Sequence, residues 1–164
     1  MDPLTHNKMV STICSATKEV FSKMLRLPAE MQPYYIEQGH CEPFDGVISL
    51  VGLAGAWTGA GHIYCSAALA CQLSGALLAV EYAAVNEDVL DAVAEITNMI
   101  IGNVKSTLED EVGPMGLSIP TVIYGRNYQA RSLGVKEWVV VPFHCGTEKL
   151  EVKFGYTPNG KDGH

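Results

Sequence analysis

Glu95 and Asn98 carry the one spacing in this chain that suggests a reaction. They lie in EDVLDAVAEITNMIIGNVKSTLEDE, residues 87–111, where a helical period is clearest. Side chains three residues apart on a helix share a face. A carboxylate there can hold a lysine of another molecule. A carboxamide offers a donor and an acceptor together, so it can orient a water molecule without taking its proton. Phosphoryl-transfer enzymes use an amide in this way to position an attacking water. One turn beyond Asn98 stands Gly102, which costs a helix roughly 1 kcal/mol against alanine and leaves backbone bare for the close approach of another surface. On spacing alone, a solvent-facing Glu and Asn is the alternative reading.

Other reactive side chains are grouped less tellingly. His40-Cys41, His62 with Cys65, and His144-Cys145 each suggest zinc, but none has metal-ligand spacing. Cys145 beside His144 is a candidate thiol nucleophile by proximity alone. Core or turn residues are the plainer reading for all six. Glu109-Asp110-Glu111 crowds negative charge at a helix C-terminus, where the dipole disfavours it, and reads as a solvated end.

The elements that must hold the pair can be read from period and punctuation. Val89, Val93, Ile96, Ile100, Val104 and Leu108 form an apolar stripe opposite the polar face. Asn86 caps this helix and Gly113-Pro114 ends it. Residues 7–27 predict a first helix, capped by Asn7 and stopped by Pro28. A short strand is expected over 34–37 and a buried one over 47–53. The glycine-spaced stretch 54–61 reads as a hairpin turn leading into a strand at 62–64. Ser66 caps a second helix, AALACQLSGALLAVEY, which is apolar almost all round and therefore expected to be sandwiched. Residues 117–124 predict a strand interrupted by Pro120 and so starting at a sheet edge. Residues 127–133 read as a turn. Strands are expected at 138–143 and 151–156, joined by a turn at Gly146-Thr147, and the second alternates as a strand with one wet face does.

This order lacks a regular βαβ alternation. It predicts an α+β fold, a largely antiparallel sheet with long helices packed on it, and a weak internal repeat of helix followed by hairpin. At 164 residues the chain fits a single domain, 1–164, with a tail that frays from about 157 to 164.

A net charge of −7 without any basic run argues against a nucleic-acid partner. No apolar run reaches the roughly 18 uninterrupted residues of a membrane span. Five cysteines without a CxxC motif, and an N-terminus without the build of a signal peptide, predict a cytoplasmic protein.

The stretch AEITNMIIGNVKSTL, followed by GLSIPTVIYG, resembles the CheX family of chemotaxis phosphatases, which belongs with CheC and FliY. The family signature, Glu-x-x-Asn on a long helix, falls on Glu95 and Asn98, and the likeness continues through Lys105 and from Gly116 to Ile123. The stretch ISLVGLAGAWTGAGHIYCS is similar to the family's first hairpin. The resemblance implies a phosphatase acting on the aspartyl phosphate of a CheY-like response regulator. Asn98 would orient the hydrolytic water, and Glu95 would pair with a lysine of the regulator. Gly102 and Asn103 are the implied partner-binding residues, with Gly102 the better placed. No cofactor is expected in this chain, because the regulator brings the Mg²⁺. The resemblance also implies a homodimer formed through sheet strands. The first helix holds Glu19 followed by Ser22, and Thr12 followed by Ser15, but no Glu-x-x-Asn, so one site per chain is expected. The rival reading is a non-catalytic module that binds a response regulator or a flagellar-switch protein through the same face.

Overall fold

The computed structural model describes residues 3–38, 42–129, 135 and 137–158. Helix α1 spans Pro3–Val20 and passes into a π-helical turn at Phe21–Leu25. It starts earlier than Asn7, at a proline suited to the first helical position. Asn7 is therefore an exposed residue of the first turns and not the cap. The helix also stops before residue 27, because Arg26 turns left-handed (φ 54°) and its N–H closes on the Phe21 carbonyl.

Two short strands follow, β1 (Glu30–Met31) and β2 (Tyr35–Glu37), then the long hairpin of β3 (Phe44–Gly55) and β4 (Trp57–Cys65). The glycines at 59 and 61 belong to strand β4, so the turn expected over 54–61 is confined to Gly55 and Ala56. These glycines admit close neighbours. A Cβ on Gly59 would lie 2.3 Å from the Gly155 carbonyl oxygen. Helix α2 (Ala67–Leu78) is capped by Ser66, whose Oγ accepts from the Leu69 N–H at 3.1 Å. Helix α3 spans Glu87–Val112. After it come β5 (Met115–Leu117), β6 (Thr121–Tyr128), β7 (Trp138–Cys145) and β8 (Glu148–Pro158). The strand expected over 117–124 is thus two strands, divided at 118–120, and β6 continues to Tyr128 through part of the stretch read as a turn. Residues 130–133 of that stretch lie outside the described residues. Strand β8 enters the tail expected to fray, reaching Pro158 opposite Trp57.

All eight strands join one antiparallel sheet. Its order is β1-β7-β8-β4-β3-β5, with β2 also on β7 and β6 also on β3. The hairpins β3-β4 and β7-β8 meet at the β4–β8 pair, each following a long helix, which is the expected internal repeat in spatial form. The main core lies between one sheet face and the helices. It joins Val51, Ile63, Val141, Val152 and Phe154 of the sheet to Ile13, Leu73, Val93, Ile100 and Val104 of the helices. Helix α3 packs against both α1 and α2 and against the sheet below. Helix α2 is not sandwiched. It buries Leu69, Ala70, Leu73 and Ser74, while Ala68, Gln72 and Leu78 face outward, because one helical layer covers the sheet on this side. No helix is long and apolar enough to cross a membrane among the described residues.

The second sheet face is drier than alternation predicts. Lys153 and Gly155, read as its wet positions, are buried. Glu37 on β2 reaches over this face, its Oε2 lying 3.1 Å from Lys153 Nζ, which stands 4.1 Å from the Tyr64 ring centroid. His62 stacks 4.4 Å from the Trp138 ring beside Ala60 and Val140. Burial, and secondarily the Lys153 charge, push the His62 imidazole down to about 4. The unfolded chain therefore takes up a proton at this site near the ordinary value of about 6.5, and the folded chain does so only near 4. The resulting stability is present above pH 6.5 and is lost as pH falls towards 4. Urea unfolding at pH 7 and pH 5 should differ by about 2 kcal/mol through this group, and His62→Phe should remove most of that difference. An unchanged pH dependence in the variant would refute the assignment.

Candidate functional site

Helix α3 is set at both ends by local chemistry. Asn86 Oδ1 accepts from the Val89 N–H at 2.9 Å, and Glu87 and Asp88 occupy the first turn, at the positive end of the dipole. The Gly113 N–H closes the far end on the Glu109 carbonyl at 3.0 Å. The apolar stripe from Val89 to Leu108 is buried throughout. Ile101 seats the helix on β4, in the space left by Gly61, where a Cβ would lie 2.7 Å from Ile101 Cδ1.

The opposite face carries the predicted pair. Glu95 is exposed and Asn98 half-buried. Among the described residues, neither side chain is engaged by another. A helix interior normally leaves a Glu or Asn free only where water or a partner meets it. Gly102 is half-buried on the same side, and Asn103 is exposed. At about 100° per residue, Asn103 lies about 80° round from Glu95 and about 140° from Asn98, so it does not share their face. Its carbonyl accepts from Thr107 Oγ1.

Asn98, Gly102, Lys105 and Glu109 fall within an arc of about 60° on the side of α3 that meets the sheet edge. Glu109 is the fastening point. Its Oε1 takes Lys105 Nζ at 2.9 Å, and its Oε2 accepts from the Met115 N–H at 2.9 Å. The hydrogen bond from Lys105, helped by the one from Met115, holds the Glu109 carboxyl below the usual carboxylate range. Glu111 pairs with Lys8 of α1. The acidic C-terminus is therefore a clasp to β5 and α1 as well as a solvated end. No local signal marks this, because Met115 and Lys8 are brought to it by the fold.

The bare backbone at Gly102 meets this chain's own Leu117. A Cβ there would lie 3.7 Å from Leu117 Cδ1, an ordinary contact. Alanine therefore fits, and Gly102→Ala should raise unfolding stability by about 1 kcal/mol through helix propensity. If the face meets a partner closely, the same variant weakens docking while it stabilises the fold. Denaturant unfolding together with partner titration reads both effects. Gly102→Ala with unchanged affinity would remove Gly102 from the contact.

The remaining candidates separate in space. His144 is exposed and Cys145 buried, on opposite faces of β7, and burial pushes the Cys145 thiol up to about 11. A protonated, buried thiol is a poor nucleophile, which corrects that reading. His62 lies on one sheet face and Cys65 on the other, in the main core, its thiol pushed up to about 12 by burial. His40 and Cys41 lie outside the described residues. Glu19 and Ser22 of the first helical segment are exposed and locally bonded, Glu19 to Lys23 at 3.0 Å and Ser22 Oγ to the Glu19 carbonyl.

Residues 47–144 match the family described as chemotaxis phosphatase CheX. The chain belongs to this family. The matched span runs from within β3 through most of β7, and contains the whole of α3. CheX structures share the fold across nearly the full chain. The chain resembles the chemotaxis protein CheX of Vibrio vulnificus with a TM-score of 0.80 at 23% identity, covering 92% of this chain and 99% of that one. For CheX of Desulfovibrio desulfuricans the TM-score is 0.81 at 22% identity, with the same coverage. The CheX–CheY–BeF3–Mg²⁺ complex of Borrelia burgdorferi matches with a TM-score of 0.77 at 24% identity, over 90% of this chain and 97% of that one. At these identities the likeness is one of fold. No curated protein matches in sequence.

Proposed function

We propose that this CheX-family chain removes the phosphoryl group from the aspartyl phosphate of a CheY-like response regulator. The observation that carries the reading is the unengaged Glu95–Asn98 pair on the outward face of a rigid helix. Glu95 is exposed and Asn98 half-buried beside it, so the pair is open to solvent on the helix surface. Such a pair suits insertion into the active site of another globular protein.

In this reading Glu95 takes the regulator's lysine, fixing the approach and freeing the phosphoryl group from that cation. The Asn98 amide then holds a water in line with the phosphorus–oxygen bond. Water oxygen bonds to phosphorus as the bond to the aspartyl oxygen breaks. The regulator recovers its carboxylate, and the water's protons stay with inorganic phosphate. The amide stays neutral throughout, so its contribution is orientation. The Mg²⁺ and most of the charge compensation belong to the regulator. Among the described residues, no group of three or more His, Cys, Asp or Glu side chains is placed to hold a metal ion. One α3 face per chain implies one site. Gly102 admits the close approach of the partner, and Asn103 lies at the margin of the contact. We place the reaction in the cytoplasm, as part of chemotaxis signalling, and in a homodimer joined through sheet strands.

The test is phosphate release from a phosphorylated CheY-type regulator with wild type, Asn98→Ala and Glu95→Ala. Acceleration that depends on Asn98 supports the enzyme. Binding without any acceleration by the wild type would instead make the chain a response-regulator or flagellar-switch binding module.

A further inference from the structure

Among the described residues, Ile119 is the most exposed large apolar side chain, at 89%. It stands in the break between β5 and β6. Leu117 pairs with Leu53 and Thr121 with Leu50, so the edge strand carries one residue more than β3 between these pairs. That is a β-bulge, and Pro120 lies in it. The bulge is held firmly. The Ser118 N–H donates to the Gly52 carbonyl at 2.9 Å, Ser118 Oγ accepts from the Gly52 N–H at 2.8 Å, and Ser118 Oγ donates to the Ile119 carbonyl at 3.3 Å.

The position of the bulge along α3 follows from two contacts. Glu109 meets Met115, and Gly102 meets Leu117, so the edge strand runs antiparallel to the helix. From Gly102 back to Asn98 is one helical turn, about 5.4 Å. From Leu117 on to Ile119 is two strand residues, about 6.6 Å. Ile119 therefore comes level with Asn98, on the flank towards Gly102 and Glu95. We infer that Ile119 is a docking residue for the phosphorylated response regulator, set by a rigid bulge beside Asn98 to insert into an apolar patch next to the regulator's acyl phosphate. The inference rests on the proposed function of the α3 face and adds to it a third contact of different chemistry. Glu95 supplies charge, Asn98 a water, and Ile119 apolar contact, and together they fix the orientation of a globular partner. Since Ser118 and Pro120 already hold the bulge, little ordering is needed on docking.

The experiment uses a CheY-type receiver phosphorylated by acetyl phosphate as substrate, and the same receiver with beryllofluoride and Mg²⁺ as a binding probe. Ile119→Ser should raise KM, and weaken binding of the probe, by about tenfold, the loss expected when a buried isoleucine is replaced by a small polar residue. The kcat should stay within about twofold, and Ile119→Leu should restore KM. Urea unfolding should be unaltered, since the side chain is exposed. An unchanged KM for Ile119→Ser overturns the inference, as does a change confined to sedimentation, which would assign Ile119 to contact with a second copy. If Asn98→Ala abolishes acceleration while Ile119→Ser behaves as wild type, the α3 reading stands and this inference alone fails. If the wild type accelerates nothing, both fail.

Discussion

Asn98→Ala is expected to lower the turnover of phosphorylated regulator by about 100-fold or more, the scale seen when a single positioned hydrogen-bonding group is removed from a transition state. The loss should fall on kcat, with KM near wild type, because the proposed amide acts on the water and not on the partner. It cannot be a folding effect. Asn98 is half-buried, unengaged among the described residues, and in the middle of α3, where alanine is the better helix former by several tenths of a kcal/mol. The variant should therefore unfold at equal or higher urea concentration. Asn98→Asp separates orientation from size. It keeps the shape but brings a negative charge against the phosphoryl group and loses the donor, so it should be as inactive as alanine. Glu95→Ala should differ in kind, raising KM and weakening the salt dependence of docking, since its role is an ion pair with the partner. Equal turnover by wild type and Asn98→Ala would end the catalytic assignment.

Gly61→Val should destabilise the fold by about 3 kcal/mol, the upper range for overpacking a filled core. The clash is steric and local to the helix–sheet contact. A Cβ on Gly61 would lie 2.7, 2.9 and 3.0 Å from Ile101 Cδ1, Cγ1 and Cγ2, and Ile101 is fully buried. Intrinsic preference points the other way, since valine is favoured over glycine in a strand. A loss of stability thus reports the clash and nothing else. Ile101→Ala opens the space, so the double variant should be more stable than the sum of the two single losses by at least about 1 kcal/mol in a urea double-mutant cycle. Strict additivity would mean that α3 does not seat on Gly61. The folded fraction of Gly61→Val should also turn over more slowly than wild type. Ile101 and Asn98 share one rigid helix, and a displacement of about 1 Å can cost 100-fold in an oriented reaction.

The glycines of β3 and β4 have roles that local sequence does not distinguish. Gly55, Gly59 and Gly61 look alike in sequence, and three glycines in seven residues imitate a turn. Only Gly55 serves the turn, with φ at 151°. Gly59 makes room for the neighbouring strand and Gly61 for a helix, and those neighbours lie about 96 and 40 residues further along the chain, at Gly155 and Ile101. In the same way, Lys153 looks wet in an alternating strand and is dry because Glu37 and Tyr64 cover it. Helix α2 looks sandwiched by composition and is marginal by topology.

What the sequence determined by itself is what acts within a few residues. The caps at Asn86 and Ser66, the stop at Gly113, the turn at Gly146-Thr147 and the stripe that buries one face of α3 all arise from hydrogen bonds and periods of four residues or fewer. The Glu95–Asn98 pair belongs with them, because three-residue spacing on a helix fixes its shared face whatever surrounds it. Tertiary structure decided that the Glu95 and Asn98 side chains stay unengaged among the described residues, that Lys105 and Glu109 fasten the far end of α3 to β5, and that a bulge carrying Ile119 follows the strand that meets Gly102. Those are contacts between segments whose separation in sequence carries no trace of their distance in space. They depend on the sheet register and on the seat of α3, which the whole core sets at once.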